Sequence, residues 1–258
     1  VVVVNNLTTD HTLVEALSEF ESVRILHAKE NLGYGRAANL GVSNMADDVE
    51  WVIVVNPDVE LSSNALGTMA HYGAGHPEVG IIGPRILDAR GDIYPSARAL
   101  PSFRNGIGHG LFSSLWPGNP WTRSYLTETA HSETPRAVGW ISGSCMMIRR
   151  EVFELLDGFD DRYFMYFEDV DLCRRTWAAG YSVVYLPDAD AMHIGAHSTS
   201  TKDSSERMIR THHESAATYL DASYPQWYWI PLRIIARAGL RVRAALLIGR
   251  LASRGRER

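Results

Sequence analysis

The chain has 258 residues, 45% of them hydrophobic and 21% charged, with a net charge of −5. That balance supports a sizeable core in one large domain or two small ones, and it excludes a general polyanion binder such as a nucleic-acid-coating protein. The charge is uneven, since Pro231 to Arg258 holds eight Arg against one Glu, a net +7 that leaves −12 on the rest.

The elements alternate from the start. Val1 to Val4 reads as a strand, and a chain opening inside a strand carries the expectation that an N-terminal piece, an inner strand of the sheet, precedes it. Helical spacing predicts a helix over Leu13 to Phe20, a strand over Val23 to Leu26, and a helix over Tyr34 to Met45 opening after Gly33. Val52 to Val55 is a buried strand. Ser62 to Tyr72 is a helix with Ser62 as N-cap, and Val79 to Ile82 is a strand. Such βαβα alternation predicts an α/β fold with a mostly parallel sheet flanked by helices.

Gly91 to Arg136 breaks the pattern. It is rich in Pro, Gly, Ser and Trp, and is long enough to be a functional excursion. Ser142 to Ile148 returns to strand, Glu151 to Leu156 to a short helix, and Asp169 to Ala179 to a helix stopped at Gly180. Tyr181 to Leu186 is a strand expected to end at Pro187. Ser204 to Leu220 and Pro231 to Leu251 are helical. The organisation expected is one domain over 1–222 and a basic helical tail over 223–258. Cys145 and Cys173 lack CxxC spacing and read as free core thiols in a reducing compartment. No apolar run approaches the roughly 20 residues of a membrane span.

The strand Trp51 to Val55 stops at Asn56-Pro57-Asp58, because proline cannot donate to a ladder. Asp58 then stands at the carboxyl rim of the sheet, where ligands bind in open α/β folds. A carboxylate there can hold a divalent ion, Mg²⁺ or Mn²⁺, against a phosphate. His193 and His197 follow the strand expected to end at Pro187, and either imidazole is a candidate second ligand. Asn31 to Asn39, with Gly33, Tyr34 and Gly35, is a glycine-bearing turn into a helix, suited to an anion or equally to capping. Asn5-Asn6 through Asp10 suits a base or ribose contact, or an Asx-turn. Glu168, Asp169 and Asp171 follow a run of aromatics. Asp169 and Asp171 diverge on a helix, so one can serve a site while the other caps the helix or pairs with Arg174 or Arg175.

Taken in order, Asn5-Asn6, Asn31 to Gly35, Asn39, Asn56-Pro57-Asp58, Gly139 to Ser144 and Phe167 to Asp171 resemble the inverting family-two glycosyltransferases of GT-A fold. The Asn-Pro-Asp form, with Tyr94 to Arg98, Trp116 to Trp121 and Ala196 to Thr199, is similar to the rhamnosyltransferase branch. The resemblance implies a donor, dTDP-L-rhamnose, held by Asn5, Asn6, Asn31, Gly33, Tyr34, Gly35, Asn39, Asn56 and Asp58. It implies a divalent cation on Asp58 and His193, and Asp169 as the base. It implies a sugar and acceptor pocket shaped by Trp140, Ser142, Gly143 and Glu168. The acceptor implied is N-acetylglucosamine on a polyprenyl diphosphate, in cell-wall linker synthesis at the cytoplasmic face of the plasma membrane.

In the tail, Leu232, Ile235, Leu240, Leu246 and Leu247 are expected on one side, with Arg233, Arg237, Arg241 and Arg243 at the flanks. Trp227 and Trp229 precede it. That pattern suits an anionic membrane surface, or an ordinary packed terminal helix. A homodimer is allowed. Two rival readings stay open: a nucleotidyltransferase, and a non-catalytic sugar-binding or membrane-docking module.

Overall fold

The computed structural model describes residues 1–7, 17, 19–103, 132–194 and 202–254, with side chains left aside at 202–204 and 254. Asp10, the helix expected over Leu13 to Phe20, Trp116 to Trp121, His197 and the Ala196 to Thr199 motif lie largely or wholly outside the described residues. The chain divides into two compact units. One comprises Val1–Met45, Phe159–Asp171 and His197–Arg258, and the other Ala46–Gly158 and Leu172–Ala196.

The second unit is built on a seven-stranded sheet. Its strands are β3 (Trp51–Val55), β4 (Val59–Leu61), β5 (Val79–Asp88), β6 (Ile93–Tyr94), β8 (Arg136–Ala137), β10 (Cys145–Arg149) and β11 (Ser182–His193). The main order is β3-β10-β5-β11-β4, with β6 on β5 and β8 on β11. A separate pair joins β7 (Ala97–Arg98) to β9 (Trp140–Ile141). Only β5 and β11 pair in parallel within the large sheet. The sheet is therefore mixed rather than mostly parallel. The alternation that predicted parallel pairing stops at β5. After the long excursion β10 inserts antiparallel between β3 and β5, a placement that local periodicity does not encode.

The central strands are buried on both faces and read as continuous apolar runs. Ile81, Ile82, Met146, Ile148 and Val183 have no appreciable exposure. Met69 of helix α2 (Ala65–Gly75) closes one side of this core against Ile82, Met147 and Val184. Ser62 does not cap α2 directly. Its hydroxyl donates to Asn64, which is the N-cap residue. The buried cation Arg149 lies 4.4 Å over the Trp51 ring and donates to the carbonyls of Val79, Gly73 and His76. Its charge thus serves the carbonyl end of α2, where a helix dipole favours a cation. Cys145 and Cys173 are buried free thiols, as expected, and burial pushes the Cys145 thiol up to about 12.

Strand β11 departs from expectation. It does not end at Pro187 but runs on to His193, across a break in register between Leu186, opposite Pro84, and Asp190, opposite Arg85. Residues 187–189 form an irregular bulge, so the missing proline N–H falls where no ladder bond is required. Arg85 then donates twice to Asp190, at 2.7 and 3.1 Å, and fixes the register beyond the bulge.

In the first unit β1 (Val2–Asn5) pairs in parallel with β2 (Arg24–His27), and helix α1 (Tyr34–Val42) packs on β1, with Gly41 lying close to Val4. Helix α3 (Arg150–Leu155) belongs to the second unit, and α4 (Glu168–Ala178) starts in the first. Helices α5 (Lys202–Ser223) and α6 (Ile230–Arg254), joined through a 3-10 turn at Trp227–Trp229, form a hairpin in the first unit. Arg233 and Arg237 of α6 both pair with Asp221 of α5. The expected single apolar stripe on α6 is split. Leu232, Leu240 and Leu247 are half-buried, whereas Ile235 and Leu246 are exposed. The stripe is wider than one neighbouring helix can cover.

Candidate active site

In the second unit the bulged end of β11 brings His193 opposite Val59, the first residue of β4. The turn Asn56-Pro57-Asp58 leads into β4, so Asp58 and His193 become neighbours. The backbone carbonyl of Asp58 accepts from Ile194 N at 3.0 Å, and its carboxylate lies 3.1 Å from His193 Nε2. Asn56 is held by its own N–H on the Ser144 carbonyl. His193 is thus a strand residue rather than the loop residue expected.

Two donors adjacent on one octahedral ion at about 2.1 Å are about 3 Å apart. The Asp58–His193 spacing fits that. The His193 Nδ1 is buried without a partner among the described residues, and the Asp58 side chain is 37% exposed. No group of three or more His, Cys, Asp or Glu side chains converges among the described residues. A cation here would therefore draw its remaining ligands from water and from phosphate oxygens. Tyr94 packs edge-on against His193 at 6.3 Å, a neighbour that local pattern did not assign.

Further along the same unit, Arg98 stands 5.6 Å from the Trp140 ring, and Trp140 Nε1 is buried with no partner among the described residues. Ser142 and Ser144 share a hydroxyl contact of 3.0 Å on either side of Gly143, and Ser142 N donates to Ser96 O. This tight turn leaves the indole N–H as an unspent donor.

In the first unit the asparagines turn out to be builders of the loop. Asn6 accepts from Leu32 N at 2.8 Å and donates to Gly33 O at 3.0 Å and to Asn31 Oδ1 at 3.2 Å. Asn31 Oδ1 also accepts from Gly33 N. Asn5 meets His27 at 3.4 Å. Asn39 is committed to the turn after α3, accepting from Phe159 N and donating to Phe159 O. Gly33 has φ +78°, and a Cβ there would overlap the Phe164 carbonyl, which accepts from Tyr34 N at 2.9 Å. Only glycine fits both the angle and the approach. At Gly35 a Cβ would press on Phe159, whose ring also meets Tyr34 edge-on.

Phe164 belongs to the segment that leads to the acids. Tyr166 and Phe167 both have positive φ, 68° and 66°, an uncommon conformation for large side chains and a store of strain of about 1–3 kcal/mol each. Both rings pack on His212 of α5, at 5.3 and 5.4 Å, and Phe167 also on Tyr219. The two left-handed residues turn the chain so that α4 begins with Glu168 buried, at 6% exposure, and Asp169 half-buried. Asp169 Oδ1 accepts from Val170 N at 2.8 Å, while Asp171 points wholly inside. Glu168 Oε2 has no partner among the described residues. Burial, aided by the neighbouring Asp169 charge, pushes Glu168 up to about 8.

The family Glycosyltransferase like family 2 matches residues 1–213. The chain belongs to the family-2 glycosyltransferases. It is 39% identical to the N-acetylglucosaminyl-diphospho-decaprenol L-rhamnosyltransferase of Mycobacterium tuberculosis strain H37Rv, over all of this chain and 86% of that protein. It is also 39% identical to the rhamnosyltransferase WbbL of Escherichia coli K12, over 73% of this chain and 70% of that one. Among solved structures it is similar to the mannosyltransferase PcManGT from Pyrobaculum calidifontis in complex with GDP-Man and Mn²⁺. There the TM-score is 0.55 at 16% identity, covering 98% of this chain and 63% of the other. The fold is GT-A, and the nucleotidyltransferase reading is set aside.

For a glycosyltransferase, the Glu168–Asp169 pair is the chemically informative feature. The neighbouring Asp169 charge adds to the effect of burial on Glu168. Burial favours the protonated form of Glu168. Its pKa is raised above the ordinary 4.5, so the native state binds that proton more tightly than the unfolded chain. The stabilisation is complete below about 4.5 and is lost as pH rises through about 8. The variant Glu168→Gln is neutral throughout. Thermal melts of both proteins between about pH 5 and about pH 9 should show the wild type losing stability relative to the variant as pH rises. Parallel melting curves across that window would mean that Glu168 is ionised in the native state.

Proposed function

We propose that this glycosyltransferase moves L-rhamnose from dTDP-L-rhamnose to N-acetylglucosamine carried on a polyprenyl diphosphate, a step in cell-wall linker synthesis. The observation that carries the reading is the 39% identity, over all of this chain and 86% of the relative, to a protein whose name states that sugar and that acceptor. The E. coli relative agrees on the sugar.

In this reading the Asn31–Gly35 turn, kept in shape by Asn6 and Asn31, presents its backbone to the nucleotide, with Asn5 and Asn39 beside it. Asn56 orients the turn that carries Asp58. Asp58 and His193 hold the divalent cation, which when bound offsets charge on the departing diphosphate. Trp140, with its unspent N–H, and the Ser142-Gly143 turn shape the sugar pocket. Asp169 takes the proton of the acceptor hydroxyl, and protonated Glu168 donates a hydrogen bond beside it. The acceptor oxygen forms its bond to the anomeric carbon as the bond from that carbon to the dTDP oxygen breaks. The electron pair leaves with dTDP, the proton rests on Asp169, and the anomeric configuration inverts.

The acceptor is a membrane lipid, and α6 supplies the surface to reach it. Ile234, Ile235, Val242 and Leu246 are each 60% exposed or more, and Trp227 is 79% exposed. Arg241, Arg243 and Arg250 stand outward beside them. An apolar face with arginine flanks and an aromatic lead-in suits an in-plane helix on the cytoplasmic leaflet. No helix among the described residues is long and apolar enough to cross a membrane.

Three outcomes test these roles. Asp169→Asn should lower rhamnose transfer about 10²–10⁴-fold while dTDP-rhamnose binding, read by calorimetry, stays near wild type. Transfer at the wild-type rate would remove Asp169 as the base. In Asp58→Ala, donor affinity should no longer respond to added Mn²⁺ or Mg²⁺; a normal metal response would place the ion elsewhere. The double change Ile235→Asp, Leu246→Asp should weaken flotation with phosphatidylglycerol vesicles by about tenfold or more at an unchanged melting temperature. Undiminished flotation would discard the membrane face.

A further inference from the structure

The hairpin of α5 and α6 is not closed along its length. A cavity of about 640 Å³ lies between the two helices. Small residues line it on both helices, Ala217 on α5 and Ala244, Ala245 and Gly249 on α6, where larger side chains would take up the space. Its walls are of two kinds. Leu240 and Ile248 supply apolar surface, and Arg210, Arg237 and Arg241 supply guanidinium groups against a single acid, Glu214. Arg210 is engaged by Glu206 at 2.7 Å, and Arg237 by Asp221. Arg241 has no acidic partner among the described residues and is exposed. Arg241 is thus the guanidinium of the wall that no acid among the described residues engages, and it stands beside an apolar channel.

We propose that this groove binds the diphosphate and first isoprenoid units of the lipid acceptor, an inference that rests on the polyprenyl reading above. Its size is that of a small-molecule site, about 300–1,000 Å³. A guanidinium fork matches phosphate oxygens in pairs and is lightly hydrated, which suits a head group leaving water for a protein groove. An isoprenoid diphosphate joins a compact polyanion to an apolar chain, the two chemistries that the walls present. A free phosphate would leave Leu240 and Ile248 unused, and a simple alkyl chain would leave Arg241 unpaired. The same helix carries the exposed Ile234, Ile235, Val242 and Leu246, so the groove opens along an element already suited to a leaflet.

The probe is geranylgeranyl diphosphate, titrated in detergent onto the full chain saturated with dTDP, which blocks the donor diphosphate site. The wild type should bind it more tightly than geranylgeraniol or inorganic pyrophosphate. Arg241→Glu removes the charge, and Ala245→Trp fills the groove at an exposed position. Each should weaken probe binding about tenfold or more, and Arg241→Lys should recover part of the loss. The KM for lipid-linked N-acetylglucosamine should rise by a similar factor in Arg241→Glu and Ala245→Trp, with the KM for dTDP-rhamnose unchanged. Probe affinity unaltered in both variants, or equal affinity for the alcohol and its diphosphate, would overturn the assignment. If the wild type transfers no rhamnose yet the variants still lose the probe, the groove stands and the rhamnosyltransferase reading falls.

Discussion

Strand β11 passes a proline without ending, and the Asp58–His193 corner of the second unit depends on how it does so. The chain swells into a bulge over residues 187–189 and resumes pairing at Asp190 opposite Arg85. Because side chains alternate across a sheet, a slip of one residue there would turn His193 to the other face. The two-pronged Arg85–Asp190 bond opposes such a slip, since any other register separates the partners. With the register fixed, β4 closes against the strand end, and the Asp58 carboxylate reaches His193 at 3.1 Å. The approach of Asp58 to His193 therefore rests on an ion pair that touches neither of them.

The first unit solves a different problem, that of holding irregular backbone still. Its loop at Asn31–Gly33 has no ladder to satisfy its polar groups, so side-chain amides stand in. Asn6 alone meets two backbone groups of that loop. Asn39 does the same for Phe159, tying two distant stretches of sequence together. The close approach of Gly33 to Phe164 then links the loop to the segment that carries Tyr166 and Phe167. Those strained residues persist because aromatic packing on His212 and Tyr219 over-determines them, and their geometry sets which carboxyl of the Glu168–Asp169 pair is buried.

Helix α6 shows how one sequence pattern can serve two surfaces. A helix packed on one partner leaves at least half its circumference free. The inner Leu240, Ala244 and Leu247 satisfy α5, whereas Ile234, Ile235, Val242 and Leu246 face outward. Exposed apolar side chains in such a row mark an interaction surface more often than a tolerated accident. Arginines stand at the borders of that row.

Several features were legible in the sequence because they depend on neighbours within a few residues. Asn56-Pro57-Asp58 ends a strand by the chemistry of proline, and the turn before α1 needs glycine at Gly33. The order of motifs pointed to the family that the comparison confirmed. Other features were decided only by tertiary contacts. The proline at 187 was read as a terminator because its local rule is real, but a bulge pinned by Arg85, 105 residues away, satisfied that rule without stopping the strand. The asparagines suited either ligand contacts or turns, and their structural partners emerged only when residues 6, 31, 39 and 159 came together. The mixed sheet, the burial of Glu168 and the split face of α6 follow the same logic. Local chemistry specifies what a residue can do, and long-range packing selects which of those capacities is spent on the fold and which is left for a ligand.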